Sequence, residues 1–110
     1  SAILIGPESV ETIGRFHADA TVISGSAIDE NGIYDNMEEA AFLQRKMIEN
    51  SDRLIIVADA SKFGRRAPSR IVPGEKLSLV VTNFISDNYQ VVQQMMARGV
   101  RFEFVRPEIP

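Results

Sequence analysis

The chain has 110 residues, 45% hydrophobic and 25% charged, enough for one hydrophobic core and too balanced for a disordered or low-complexity segment. Twelve Lys and Arg against 15 Asp and Glu give a net charge of −3, which supplies no broad attraction for phosphate backbones and argues against a free-standing nucleic-acid binder. There is no cysteine and one histidine, so disulfides, thiolate zinc sites and cysteine nucleophiles are excluded and no metal or cofactor site is implied.

Short apolar runs alternate with helical patterns along the chain, the signature of βα units around a mainly parallel sheet. Residues 2–5 read as a strand that stops at Gly6-Pro7, where Pro7 suits the first turn of a helix over residues 7–16. Residues 20–24 are the second strand. Residues 24–32 form a turn segment, and a helix follows over residues 36–50. That helix places Met37, Ala40, Ala41, Met47 and Ile48 on one stripe. Asn36 with Glu39 fits a capping box at its entry.

Residues 54–58 are the most apolar segment, bounded by Asp52-Arg53 and Asp59, as expected of a central strand covered on both faces. This run is also the longest apolar one, far below the roughly 20 residues of a membrane helix. Residues 63–75 hold Gly64, Pro68, Pro73 and Gly74 with Arg65, Arg66 and Arg70, and read as a solvated loop with a short strand near residues 70–72. Residues 77–82 are the fourth strand. A last helix over residues 87–98 takes Ser86 as cap, Val92, Met95 and Met96 as buried stripe, and Gly99 as stop. Residues 100–105, with Phe102 and Phe104 alternating against charged neighbours, form a half-exposed closing strand.

Ligands of open α/β sheets bind beyond the carboxyl ends of the parallel strands. That rule selects Ser24, Gly25 and Ser26 after the second strand, Asp59, Ser61 and Lys62 after the third, and Thr82 and Asn83 after the fourth. Lys62 is the point charge suited to a phosphate or carboxylate, Asp59 an acceptor for ligand hydroxyls, and Gly25 between serines a turn that brings backbone N–H groups to an anion. Each has a plainer reading: strands end in polar residues, lysines are solvated, and Glu39 at a helix start serves as cap and dipole partner. His17 reads as a surface residue. Walker loops, dinucleotide-binding glycines, nucleophile elbows and paired catalytic carboxylates are not found.

The segment Val57-Ala58-Asp59-Ala60-Ser61-Lys62-Phe63-Gly64, with Glu39-Ala40 at a helix start, Ile28-Asp29 and Gly32 in the turn segment, and Gly6 after the first strand, resembles the C-terminal effector domain of DeoR-type transcriptional repressors. The likeness runs from about Ile3 through Asn83. Ser24 and Ala27 stand where that family usually carries glycines, and Asn83 where it tends to have Asp. The resemblance implies an α/β fold similar to ribose-5-phosphate isomerase and glucosamine-6-phosphate deaminase, used to sense a phosphorylated sugar. It implies a ligand site of Ser24, Gly25, Ser26, Glu39, Asp59 and Lys62, no cofactor, and a cytoplasmic homo-oligomeric regulator. Such a regulator touches DNA only through an N-terminal winged helix-turn-helix domain absent from this chain, and the expectation is of a partial sensor domain. The alternative is a sugar-phosphate isomerase or deaminase of the same fold, with Asp59 or Glu39 moving protons and Lys62 steadying an enediolate-like charge.

Overall fold

The computed structural model describes residues 15–83 and 89–105. The strand expected at residues 2–5, Gly6, most of the helix expected over residues 7–16, and the Ser86 cap lie outside those residues. The described elements run β1 (Ala18–Ile23), β2 (Ala27–Asp29), β3 (Gly32–Asp35), α1 (Glu38–Glu49), β4 (Ser51–Val57), a 3₁₀ turn (Ala60–Lys62), β5 (Ser69–Pro73), a second 3₁₀ turn (Gly74–Lys76), β6 (Leu79–Thr82), α2 (Tyr89–Ala97) and β7 (Arg101–Phe104). They form a four-stranded parallel sheet in the order β1-β4-β6-β7 and a three-stranded antiparallel sheet in the order β2-β3-β5.

The parallel sheet follows the expected rhythm with shifted ends. β1 starts at Ala18 and β4 at Ser51 because the polar start of β4 pairs in register with β1, Ala18 opposite Ser51 and Ala20 opposite Arg53. β6 starts late, since Leu77 closes the preceding 3₁₀ turn by donating its N–H to the Gly74 carbonyl at 3.1 Å. The expectation that β4 is covered on both faces needs correction. Leu54 and Ile56 are buried, but Val57 and its neighbour Val22 are 44% and 57% exposed. Alternate residues face opposite sides of a strand, so among the described residues the sheet is covered on one face.

The antiparallel sheet is the main departure from the sequence reading, which left residues 24–32 as a turn. β2 and β3 are a hairpin, Ile28 opposite Ile33 and Asp29 opposite Gly32, turning at Glu30-Asn31. Asp29 closes the turn by accepting the Asn31 N–H at 2.9 Å. Gly32 is required there: a Cβ would collide with the Val72 carbonyl of β5. β5, Ser69–Pro73, is the short strand expected near residues 70–72, one residue longer at each end.

α1 enters differently from the capping box of Asn36 and Glu39. Its N-cap is Met37, which supplies no side-chain bond. Asp35, the last residue of β3, accepts the Met37 N–H at 3.1 Å and the Gln44 amide at 3.1 Å. The buried face is consequently Ala40, Ala41, Leu43 and Gln44, while Met37 is exposed. α2 buries Val92 and Met95 but leaves Met96 half outside, at 51% exposure. It ends as expected: the N–H groups of Gly99 and Val100 bond to the Met96 and Met95 carbonyls.

Ile28, Ile33, Ile56, Val80, Val92 and Met95 are fully buried, and each contributes about 1.5–3 kcal/mol by leaving water. They belong to one cluster that joins the two sheets and α2. Phe102 packs at its edge against Phe63, ring centroids 6.0 Å apart, and Phe104 stacks on Phe102 at 5.8 Å. The small sheet is therefore fixed to the parallel sheet by shared core. Among the described residues no helix is long and apolar enough to cross a membrane.

Candidate functional site

β1, β4 and β6 are adjacent and parallel, so their carboxyl ends lie along one edge of the sheet. The chain leaving β4 is tied to that edge from the β6 side: the Ala58 N–H bonds to the Val81 carbonyl at 3.0 Å, and the Ala60 N–H to Asn83 Oδ1 at 2.8 Å. Asp59 then caps the 3₁₀ turn. Its Oδ2 accepts the Ser61 N–H at 3.0 Å and the Ser61 hydroxyl, and its own carbonyl accepts the Lys62 N–H at 2.9 Å.

These bonds hold the Asp59 carboxyl below the usual carboxylate range, the Ser61 hydroxyl first, then the Ser61 backbone, with smaller help from the Lys62 charge and the Asn83 side chain. Asp59 is thus anionic across the neutral range. Lys62 is exposed, and among the described residues its ammonium enters no ion pair. The turn offers one fixed negative group and one cation free to accept a ligand.

The turn after β1 reaches the same place by a second route. Phe63 bridges in parallel to Ile28, and the Gly64 N–H bonds to the Ile28 carbonyl at 2.9 Å, which docks the chain after Lys62 onto β2. Ser24, Gly25 and Ser26 lie between β1 and that contact. Gly25 has φ +66°, and a Cβ there would come within 2.7 Å of Ile33 Cγ1 and 3.1 Å of the Tyr34 carbonyl. Glycine is needed at this position for the fold itself.

The expected row of backbone donors is only partly present. Ser26 gives its N–H to the Tyr34 carbonyl at 2.8 Å, so it is spent inside the hairpin. Ser24 is exposed and Ser26 half-buried. Glu39 sits exposed in the first turn of α1, and none of its contacts among the described residues ties it to Asp59 or Lys62. Its neighbour Glu38 is the engaged carboxylate, 2.8 Å from Arg45 and held below the usual range by Arg45 and then by the Ser69 hydroxyl.

Sequence reasoning missed two features. Asn83 holds the Asp59 turn in place through a carbonyl oxygen, a role that cannot be told from strand-end polarity alone. Asp29, buried at 5% exposure, accepts from the Tyr34 hydroxyl at 3.0 Å, the Arg66 Nε at 2.8 Å and the Asn31 N–H. Burial first, then the Asp29 carboxylate, pushes the Tyr34 phenol up. The arginines of residues 63–75 are therefore not all solvated: Arg66 is anchored by Asp29, and Arg70 spans to the Asn31 carbonyl at 3.4 Å. The run Asp29-Glu30-Asn31-Gly32 between Ile28 and Ile33 was the available signal for the hairpin. His17 is half-exposed surface as expected, with Nε2 2.8 Å from Asp52.

Residues 1–84 match the family model described as the DeoR C terminal sensor domain. The chain is 35% identical over 79 residues to the uncharacterized HTH-type transcriptional regulator YulB of Bacillus subtilis, covering 71% of this chain and 31% of that protein. It is 29% identical over 79 residues to the putative aga operon transcriptional repressor of Escherichia coli O157:H7, covering 71% and 29%. It is 34% identical over 87 residues to the L-fucose operon activator of Haemophilus influenzae, covering 77% and 35%. The matched part is about a third of the length of each of these relatives.

Proposed function

The chain belongs to the DeoR C-terminal sensor domain family, and from that premise we propose that it senses a phosphorylated sugar or similar anionic metabolite for a transcriptional regulator of sugar-metabolism genes. The observation that carries this reading is the turn after β4. Asp59 and Lys62 share one tied-down turn at the carboxyl edge of the parallel sheet, with the carboxylate fixed by Ser61 and the ammonium unpaired among the described residues. In this site Lys62 neutralises part of the ligand's charge, the Asp59 carboxylate accepts from sugar hydroxyls, and Ser24 and Gly25 border the ligand from the β1 side. Glu39 is a more distant contributor, reached only by a ligand that extends toward α1.

Two of the relatives, a putative aga operon transcriptional repressor and an L-fucose operon activator, support a sugar-linked effector. In the intact regulator, DNA recognition is assigned to a separate N-terminal winged helix-turn-helix domain and takes place in the cytoplasm. The effector acts by binding two arrangements of a homo-oligomer with different affinity, since a ligand indifferent to the two shifts nothing. Calorimetric titration of the intact regulator with a panel of phosphorylated sugars, beside a Lys62→Ala variant, tests the assignment. A charge-assisted contact contributes about 1.5–3 kcal/mol, so the variant should bind roughly ten- to a hundredfold more weakly. Undiminished binding removes Lys62 from the site.

A further inference from the structure

The opposite edge of the parallel sheet carries a hollow. At the amino-terminal ends of β4, β6 and β7 a cavity of about 400 Å³ is lined by Arg53, Lys76 and Arg101 over an apolar floor of Ile48, Leu54 and Leu79. Sheet register brings these residues together: Leu79 stands opposite Arg101 on β7 and opposite Ile55 on β4, two residues beyond Arg53 on the same face. The one acid in the lining is Asp52, and it is engaged by His17 at 2.8 Å.

Three cations elsewhere pair with acids, Arg45 with Glu38, Lys46 with Glu49 and Arg66 with Asp29, while Lys62, Arg65, Arg70 and Arg98 form no ion pair among the described residues. What sets this hollow apart is that three such cations share it. Among the described residues the side chains of Arg53, Lys76 and Arg101 form no ion pair and no hydrogen bond. Like charges gathered at one concavity repel unless a counter-anion joins them, and a chain of net charge −3 has no general excess of cations to spread over its surface.

We propose that this cavity is a second anion site, distinct from the Lys62 edge, for a small organic phosphate. Two guanidinium forks and an ammonium match phosphate oxygens. The volume falls in the range of small-molecule pockets, and the aliphatic floor receives the carbon body of an ester. A flat basic patch suited to a macromolecular backbone would have neither the concavity nor the apolar floor.

The test titrates the full 110-residue chain with inorganic phosphate, phenyl phosphate and polyglutamate, followed by backbone amide shifts. Phenyl phosphate should shift Arg53, Ser78, Leu79 and Arg101 saturably, and bind several-fold tighter than inorganic phosphate because it also covers the floor. Arg53→Gln with Arg101→Gln should weaken phenyl phosphate at least tenfold, and Lys76→Gln should weaken it less. All three side chains are exposed and, among the described residues, unpaired, so the fold, read by circular dichroism, should be unchanged. Lys62→Ala should leave these shifts intact, which separates this site from the sensing edge. The proposal is overturned by absent or non-saturating shifts at this edge, by equal binding of the double variant, or by a response to polyglutamate alone, which would mark an acidic protein partner instead.

Discussion

Asp29 is the residue whose removal the structure evaluates most directly. It is buried and accepts three hydrogen bonds, from the buried Tyr34 hydroxyl, the Asn31 N–H and Arg66. In Asp29→Ala the phenol loses the acceptor it has among the described residues, and a buried donor left without a partner costs about 1–3 kcal/mol. Arg66 is 66% exposed in this pair, so the ion pair itself contributes only about 0–1 kcal/mol. The Asn31 N–H is half-exposed and regains water at little cost. The expected loss is about 1–4 kcal/mol in urea unfolding followed by circular dichroism. Asp29→Asn keeps an oxygen for Tyr34 and Asn31 and gives up the Arg66 pair, so it should lose only about 1 kcal/mol. In a Tyr34→Phe background the cost of Asp29→Ala should shrink by about 1–2 kcal/mol, the coupling expected of direct partners. The reasoning is refuted if Asp29→Ala lies within about 0.5 kcal/mol of the parent, or if the Ala and Asn variants are equally destabilised, which would assign the effect to Arg66 instead of the phenol.

Three further outcomes follow from the same contacts. Gly25→Ala should destabilise by about 1–3 kcal/mol, because alanine is strained at φ +66° and its Cβ presses on Ile33; a neutral result in thermal unfolding would mean that the turn rearranges. Ser61→Ala removes the largest cause of the lowered Asp59 pKa, so a carboxyl-detected NMR titration should find the Asp59 midpoint raised toward the ordinary range, and an unmoved midpoint contradicts the capping geometry. Tyr34 has a raised folded-state pKa. Its contribution to stability is therefore complete below the unfolded phenol pKa and is lost as pH rises through the folded one. Alkaline unfolding should begin at lower pH in the parent than in Tyr34→Phe; coincident transitions would show that the phenol is not the group involved.

The parallel sheet was legible because its signal is local. Leu54, Ile55, Ile56, Val57 and Ala58 form an apolar run that water excludes wherever it sits, and the helix periods on either side require crossovers that make neighbouring strands parallel. The small sheet was not legible by the same route. β2 and β3 have three and four residues, too short for an alternation to stand out. β5 was legible only as a short strand near residues 70–72, inside a stretch whose glycines, prolines and arginines read as loop. What stabilises β5 is non-local: β3 on one edge, and the Arg45 guanidinium donating to the Arg70 carbonyl at 2.7 Å. The cap of α1 failed for a related reason. Asn36 has the right chemistry, but Asp35 reaches both the Met37 N–H and Gln44 from the end of a strand that the sequence reading did not include.

At the carboxyl edge of the parallel sheet, chain order and spacing were enough to put Asp59 and Lys62 on one turn, because the 3₁₀ turn of Ala60–Lys62 leaves them little freedom. They were not enough to separate residues that merely end a strand from residues that hold the turn. Asn83 and Ser26 show the difference. Both are polar residues just past a strand, and both looked equally available to a ligand. Asn83 spends its oxygen on the Ala60 N–H, and Ser26 spends its N–H on the Tyr34 carbonyl. A polar group already bonded to the backbone must break that bond before it can serve a ligand, at a cost comparable to what the new contact returns. Lys62 carries no such prior engagement among the described residues. On that ground it, and not the serine turn, is the side chain by which an anion at this edge should first be recognised.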